Sequence, residues 1–249
     1  MHTEEHSENI PLLTPTPYQR IGRDGQRQNE REPVLGEHCM EIRIDGQTAA
    51  NLVCIPQFLT ELAFGFLRTE GYIRSQADVA RLTVCEQGRR ADVLLKEKNE
   101  GPREISPVRP ISWETDHIFS LADRFAAGMP LHRETFATHS CFLAQGAELL
   151  FSCEDIGRHN ALDKAVGYAL RHNIDLGACA LYSSGRIPTD MALKAIRAGV
   201  PVLASKASPS REAVALAKKY NLTLICAARK DRMKLFTGTA PSDKGENNG

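Results

Sequence analysis

The chain of 249 residues is long enough for one large domain or two small ones, with a sizeable core. Its 31 basic and 31 acidic side chains cancel, so no global field draws it to nucleic acid or a membrane surface, and any basic site must be local. The seven cysteines (Cys39, Cys54, Cys85, Cys141, Cys153, Cys179 and Cys226) form no C-x-x-C pair and mostly sit in apolar runs, the pattern of reduced core thiols in a cytoplasmic protein.

Residues 1–32 are polar and rich in Glu, Gln, Arg, Asn and Pro. That composition supplies no core and reads as a mobile tail, without the apolar stretch of a secretory signal. No uninterrupted apolar run elsewhere approaches a membrane span, so a soluble protein is expected. Order is expected from Pro33. Met40–Ile44 alternates apolar and polar, Asp45-Gly46 is a hairpin turn signal, and the return strand covers about Thr48–Ile55. Pro56 opens a helix over about Gln57–Arg68, with Leu59, Leu62, Ala63, Phe66 and Leu67 on one face. Two further strands, Val79–Cys85 and Ala91–Lys96, complete a small β-rich domain with one helix, assigned to residues 33–112.

The charged, proline-bearing stretch Lys96–Glu114 reads as a linker. A helix over Glu114–Ala127 follows, ended by Gly128 and Pro130, and then strands at Phe136–Leu143 and Glu148–Ser152. From there helix and strand alternate: a helix capped by Asn160, strand Cys179–Tyr182, a helix from Thr189 to Gly199, strand Pro201–Ala204, a helix from Ser208-Pro209 to Tyr220, and strand Leu222–Ala227. This is the signature of βαβ units, so residues 113–238 are assigned to an α/β domain with a largely parallel sheet, and 239–249 to a second tail.

In a parallel sheet the strand C-termini share one edge, where open α/β folds bind ligands. Four such ends carry Arg158 and His159, then Ser184-Gly185-Arg186, then Ser205-Lys206, then Arg229-Lys230-Asp231-Arg232. Glu154, Asp155 and Asn160 belong to the first of these loops. Hydroxyls, a glycine and fixed cations on one rim suit phosphate oxygens, so a large phosphorylated ligand is expected there. No phosphate loop, dinucleotide fingerprint or serine-hydrolase elbow is present. His132-Arg133-Glu134 matches half of a zinc deaminase signature whose P-C-x-x-C half is missing, so no resident metal is expected. His139 and Cys141 share a strand face, which makes Cys141 a candidate reactive thiol beside an imidazole.

The segment EDIGRHNALDKAVG, followed by SSGRIPTDMALKAIRAGVPVLASKASP and preceded by MEIRIDGQ and PQFLTELAFGFLRTEGYI, resembles the formate dehydrogenase accessory proteins of the FdhD/NarQ family, from about Pro33 to Gly238. The resemblance implies a cytidine-deaminase-like α/β/α layering without zinc. It also implies a cytoplasmic homodimer that binds molybdenum bis-molybdopterin guanine dinucleotide and relays sulfur to it from a cysteine desulfurase, for the benefit of formate dehydrogenase. The family's cofactor-binding segment falls on Ala227, Ala228, Arg229, Lys230, Asp231 and Arg232. Two departures stand out. The family's central loop with a C-x-x-C motif, whose first cysteine takes the persulfide, is replaced by KEKNEGPREISPVRP, and the threonine-glycine-glycine approach to the histidine is altered to Phe136-Ala137-Thr138-His139. Cys141 is then the remaining candidate sulfur carrier, and a cofactor-binding chaperone without sulfur transfer is the alternative.

Overall fold

A computed structural model describes residues 12–97 and 104–241; the remainder of the two expected tails and the centre of the expected linker lie outside it. The first element corrects the mobile-tail expectation. β1 (Leu13–Ile21) and β2 (Arg27–Leu35) form an antiparallel hairpin with Leu13 opposite Leu35 and Ile21 opposite Arg27. It has almost no apolar face, which is why composition concealed it. Polar cross-strand pairs support it instead: the Tyr18 hydroxyl donates to Glu30 at 2.5 Å, and Arg20 meets Glu30 at 2.9 Å. Gly25, with φ 82°, makes the left-handed turn between the strands.

The first lobe comprises β3 (His38–Ile44), β4 (Gln47–Cys54), α1 (Leu59–Thr69), β5 (Val79–Cys85) and β6 (Arg90–Leu95), with strand order β4-β3-β6-β5. Met40, Ile42, Ala91 and Val93 point into a core closed by Leu62, Ala63, Phe66 and Leu67 of α1. The helix starts later than Pro56 suggests. Phe58 takes a left-handed N-cap conformation, and its ring meets Phe151 of the second lobe edge-on at 5.0 Å.

The second lobe contains α2 (Thr115–Ala126), α3 (Pro130–Thr135), β7 (His139–Gln145), β8 (Glu148–Asp155), α4 (Arg158–Arg171), β9 (Ala180–Ser183), α5 (Thr189–Ala198), β10 (Val202–Ser205), α6 (Arg211–Lys219), β11 (Thr223–Cys226) and β12 (Lys234–Thr237). The mixed α/β class is as expected. The sheet order is β12-β11-β10-β9-β7-β8, parallel across β9, β10 and β11 and antiparallel at β7 and β12. Side chains of α4, α5 and α6 bury one face, among them Leu162, Met191 and Ala213 against Leu181 and Leu203. Ile118 and Leu121 of α2 bury the other against Phe142, Tyr182 and Ile225. Pro130, which reads as a helix stop, instead occupies the first turn of α3, where its missing N–H costs nothing.

The expected linker and second tail are tied to this lobe rather than free at their described ends. The Val108 N–H donates to the Tyr220 carbonyl at 2.9 Å, and the indole N–H of buried Trp113 donates to the Thr239 carbonyl at 3.1 Å.

The lobes meet where α1 crosses α4, at a glycine from each helix. A Cβ on Gly65 would stand 1.7 Å from the Asp163 carbonyl oxygen, and one on Gly167 would stand 1.8 Å from the Glu61 carbonyl oxygen. Two buried ion pairs stitch the seam. Lys164 and Asp155 lie 2.6 Å apart with fully buried side chains, and the same carboxylate accepts the Ile55 N–H from the first lobe at 3.2 Å. Lys194 meets Asp163 at 2.8 Å and Glu70 at 2.8 Å, while the Thr69 hydroxyl donates to Asp163 at 2.7 Å. Arg171 pairs with Glu61 beside them.

Candidate functional site

β8, β9, β10 and β11 do end on one edge of the second-lobe sheet, but β7 runs the other way between β8 and β9. The loops after β9, β10 and β11 are therefore neighbours, and the start of β7 at His139 separates them from the loop after β8. A cavity of about 370 Å³ opens on this edge. Ser184 after β9, Lys206 and Ala207 after β10, and Arg229 after β11 line one part of it. Phe125 at the end of α2, and His132, Phe136, Ala137, Thr138 and His139 between α3 and β7, line the rest.

The loops are fixed by their own backbone and hydroxyl groups. The buried Ser205 hydroxyl donates to the Gly185 carbonyl at 2.6 Å and accepts the Ala207 N–H at 3.0 Å. Ser184 accepts the Ser140 N–H on its hydroxyl at 3.0 Å, and His139 Nδ1 lies 3.1 Å from that same oxygen. Ala227 is left-handed, with its N–H on the Ala207 carbonyl at 2.8 Å; the Ala228 N–H reaches the Ser205 carbonyl at 3.0 Å, and the Ala228 carbonyl accepts the Tyr182 hydroxyl at 2.8 Å. These two alanines shape the turn through their backbones. The Arg229 N–H then closes on the Arg232 carbonyl at 2.8 Å.

The cations divide into two groups. Lys206 holds its ammonium 5.1 Å from the centre of the Phe125 ring, and Arg229 is exposed at the cavity wall. Arg186, Lys230 and Arg232 are exposed outside the cavity lining, and Arg232 faces Asp231 at 3.8 Å. Arg158 passes directly over Gly185, where a Cβ would stand 2.7 Å from the Arg158 Cδ. The Nε of Arg158 is buried with no hydrogen-bond partner among the described residues. His159 is engaged by Asp190 at 2.8 Å. His139 feels this concentration of positive charge: burial first, then Arg158, His132 and His159, hold its imidazole below the ordinary histidine value.

Much of the loop expected to bind ligand faces inward instead. Asp155 is fully buried on Lys164, Gly157 and Asn160. Asn160 does not cap α4; Gly157 does, and the Asn160 amide donates to the Val53 carbonyl at 2.7 Å. Glu154 is buried under α3, accepting the N–H groups of Leu131 at 2.9 Å and His132 at 2.7 Å and the Thr138 hydroxyl at 2.8 Å. His132 in turn donates from Nδ1 to the Thr138 carbonyl at 2.9 Å, a bond that fixes its tautomer because the carbonyl can only accept.

Cys141 does not fit the reactive role. It is fully buried between the sheet and α4, and burial raises its thiol well above the ordinary cysteine range. His139 turns toward Ser184 and lends it no base. Cys153, directly opposite on β8, is likewise buried and pushed up to about 12. Among the described residues no group of three or more His, Cys, Asp or Glu side chains is placed to hold a metal ion, and no helix is long and apolar enough to cross a membrane.

The sequence matches the FdhD/NarQ family over residues 35–110 and 94–241. It is 29% identical over 242 residues to the sulfur carrier protein FdhD of Listeria monocytogenes serovar 1/2a, covering 86% of this chain and 93% of that one. It is 30% identical over 241 residues to the sulfur carrier protein FdhD of Bacillus pumilus, covering 86% and 92%. A crystal structure of a formate dehydrogenase accessory protein from Desulfotalea psychrophila is similar with a TM-score of 0.82 and 31% identity, covering 93% of this chain and 99% of that one.

Proposed function

Because this chain belongs to the FdhD/NarQ family, we propose that it is a formate dehydrogenase accessory protein that binds molybdenum bis-molybdopterin guanine dinucleotide by a guanylate end. The observation that carries the reading is the cavity where β9, β10 and β11 end, with Lys206, Arg229 and Ser184 in its wall. A space of about 370 Å³ suits one nucleotide end and not the whole cofactor. The larger part of the ligand would lie along the exposed rim of Arg186, Lys230 and Arg232. The buried, unpartnered Nε of Arg158 just behind Gly185 is a donor that a phosphate oxygen or a bridging water would satisfy. When bound, the cofactor supplies the molybdenum chemistry of the enzyme it is delivered to. This protein supplies cations, backbone amides and an aromatic wall.

Binding of GDP followed by calorimetry tests the reading. Charge reversal at Arg229, or alanine at Lys206, is expected to weaken GDP at least tenfold, because each removes a cation from the cavity wall. Reversal at Arg186 or Arg232 is expected to do less to GDP itself. Equal GDP affinity in all four variants refutes the site.

The burial of Cys141 favours the second reading for sulfur, in which the protein holds and delivers the cofactor without carrying a persulfide itself. The partners that follow are a formate dehydrogenase and, where sulfur is supplied by another thiol, a cysteine desulfurase system. A cytoplasmic location and a homodimer complete the proposal. No nucleic acid or membrane partner is called for by the balanced charge.

A further inference from the structure

One residue at the mouth of the cavity is placed in a way that core packing does not explain. Phe136 is 80% exposed, more than any other large apolar side chain among the described residues. Its backbone is also left-handed, with φ 54° and ψ 15°. Glycine takes that conformation freely, whereas a residue with a bulky Cβ substituent pays for it. The protein thus keeps a ring in water, on a backbone the ring makes less favourable.

The turn that holds this conformation is rigid. Buried Glu154 accepts from Leu131, His132 and Thr138 on both sides of Phe136, and His132 closes the loop onto the Thr138 carbonyl. The Phe136 ring rests edge-on against His132, with centroids 5.7 Å apart at 69°. Its other surface is left to the cavity, whose wall also holds Lys206 and Arg229. The cavity therefore combines an exposed, pre-oriented aromatic face with two cations, the pair of features that a nucleotide's flat base and its phosphates require.

We propose that Phe136 is the stacking platform for the base of the bound nucleotide, so that the ligand lies with its base against the α3–β7 turn and its phosphates on Lys206 and Arg229. This rests on the nucleotide reading given above and adds the ligand's direction to it. The ring accepts any planar base, because every base has a π-face; selection of guanine must come from groups that meet the base edge.

The test compares GDP with inorganic pyrophosphate on the full-length protein. Phe136→Gly removes the ring and suits the left-handed backbone, so the fold should hold with an unchanged or higher Tm. GDP affinity should fall on the order of tenfold to a hundredfold, the range for losing one stacked base, while pyrophosphate affinity stays the same. Phe136→Trp gives a second readout. The wild-type protein has one tryptophan, Trp113, and it is buried; the added indole should be quenched by GDP and not by pyrophosphate. The inference is overturned if Phe136→Gly binds GDP as tightly as the wild type, or if GDP leaves the added indole unquenched. Loss of both ligands in Arg229→Glu alongside either result would leave the phosphate site standing and displace only the base. If the wild type binds neither ligand, the nucleotide reading itself fails, and this inference with it.

Discussion

Asp163 and Lys194 lie 2.8 Å apart in the seam between the lobes, on α4 and α5, and both are closed to solvent by Thr69 and Glu70 at the end of α1. Burial alone would push Lys194 down, but the carboxylates of Asp163 and Glu70 raise it above its ordinary value, so the ammonium stays charged in the folded protein. Its contribution to stability is fully present below the ordinary lysine value and fades as pH rises through the raised one. Removing only one partner strands a buried charge. Lys194→Met should therefore cost about 3–5 kcal/mol in urea unfolding. The double variant Asp163→Leu/Lys194→Met should cost less than the two single costs added together. Additive costs would show that the two side chains do not interact.

The glycine crossing of α1 and α4 predicts a second, steric cost. Neither Gly65 nor Gly167 has a left-handed backbone, so alanine is excluded only by the opposite helix, whose carbonyl would lie within 2 Å of the new methyl. Either alanine variant must push the lobes apart, with a loss of about 1–3 kcal/mol or more. A lowered denaturation midpoint with an unchanged slope would be the expected signature; an unchanged midpoint would mean the helices do not touch there in solution.

The ion pairs and the glycine crossing of this one seam explain what the sequence reveals and what it hides. The βαβ alternation after residue 149, the apolar helix faces and the Asp45-Gly46 hairpin are local patterns, and each is realised within a few residues. Lys206, Ser184 and Arg229 reach the cavity because a parallel sheet forces strand ends to one edge. The roles of Glu154, Asp155, Asn160, Asp163 and Lys164 were not legible. A charged letter looks the same whether it faces water or a buried partner a hundred residues away, as Asp155 faces Ile55. Asp24-Gly25 carries the same turn signal as Asp45-Gly46, yet the polar strands around it offer no alternation to confirm it. His132 lies in, and Phe136 caps, a six-residue helix whose proline looks like a stop, so no local pattern placed either residue at a cavity.

Burial of Cys141 leads to a chemical prediction. Cys39 is exposed, whereas Cys141 is fully buried with its thiol raised well above the ordinary range, so a maleimide should modify Cys39 and spare Cys141 in the native protein. After incubation with a cysteine desulfurase and cysteine, mass spectrometry should find no added sulfur atom on Cys141. A persulfide there would mean that the sheet opens around β7 and would restore the sulfur-carrier reading for this thiol. Persulfide on Cys39 would instead place sulfur carriage in the first lobe, on β3.

The depressed imidazole of His139 predicts how ligand binding depends on pH. Burial and the positive charges of Arg158, His132 and His159 keep it neutral below the ordinary histidine value of about 6.5. For the empty protein this means that the unfolded state takes up the proton first as pH falls, so His139's contribution to stability is present above the ordinary value and is lost through the depressed one. A bound phosphate reverses the balance, because a nearby anion favours the imidazolium. GDP binding should therefore make His139 take up a proton, and this part of the affinity should rise as pH falls through the ordinary histidine value, where the bound form is protonated and the free form is not. Calorimetry in buffers of different ionisation enthalpy measures that proton directly, and His139→Gln should abolish this part of the uptake while leaving Lys206 and Arg229 to bind. The terminal phosphate of GDP also titrates near about 6, so the wild type is compared with His139→Gln; identical proton exchange in the two would show that the phosphates do not sit beside this ring.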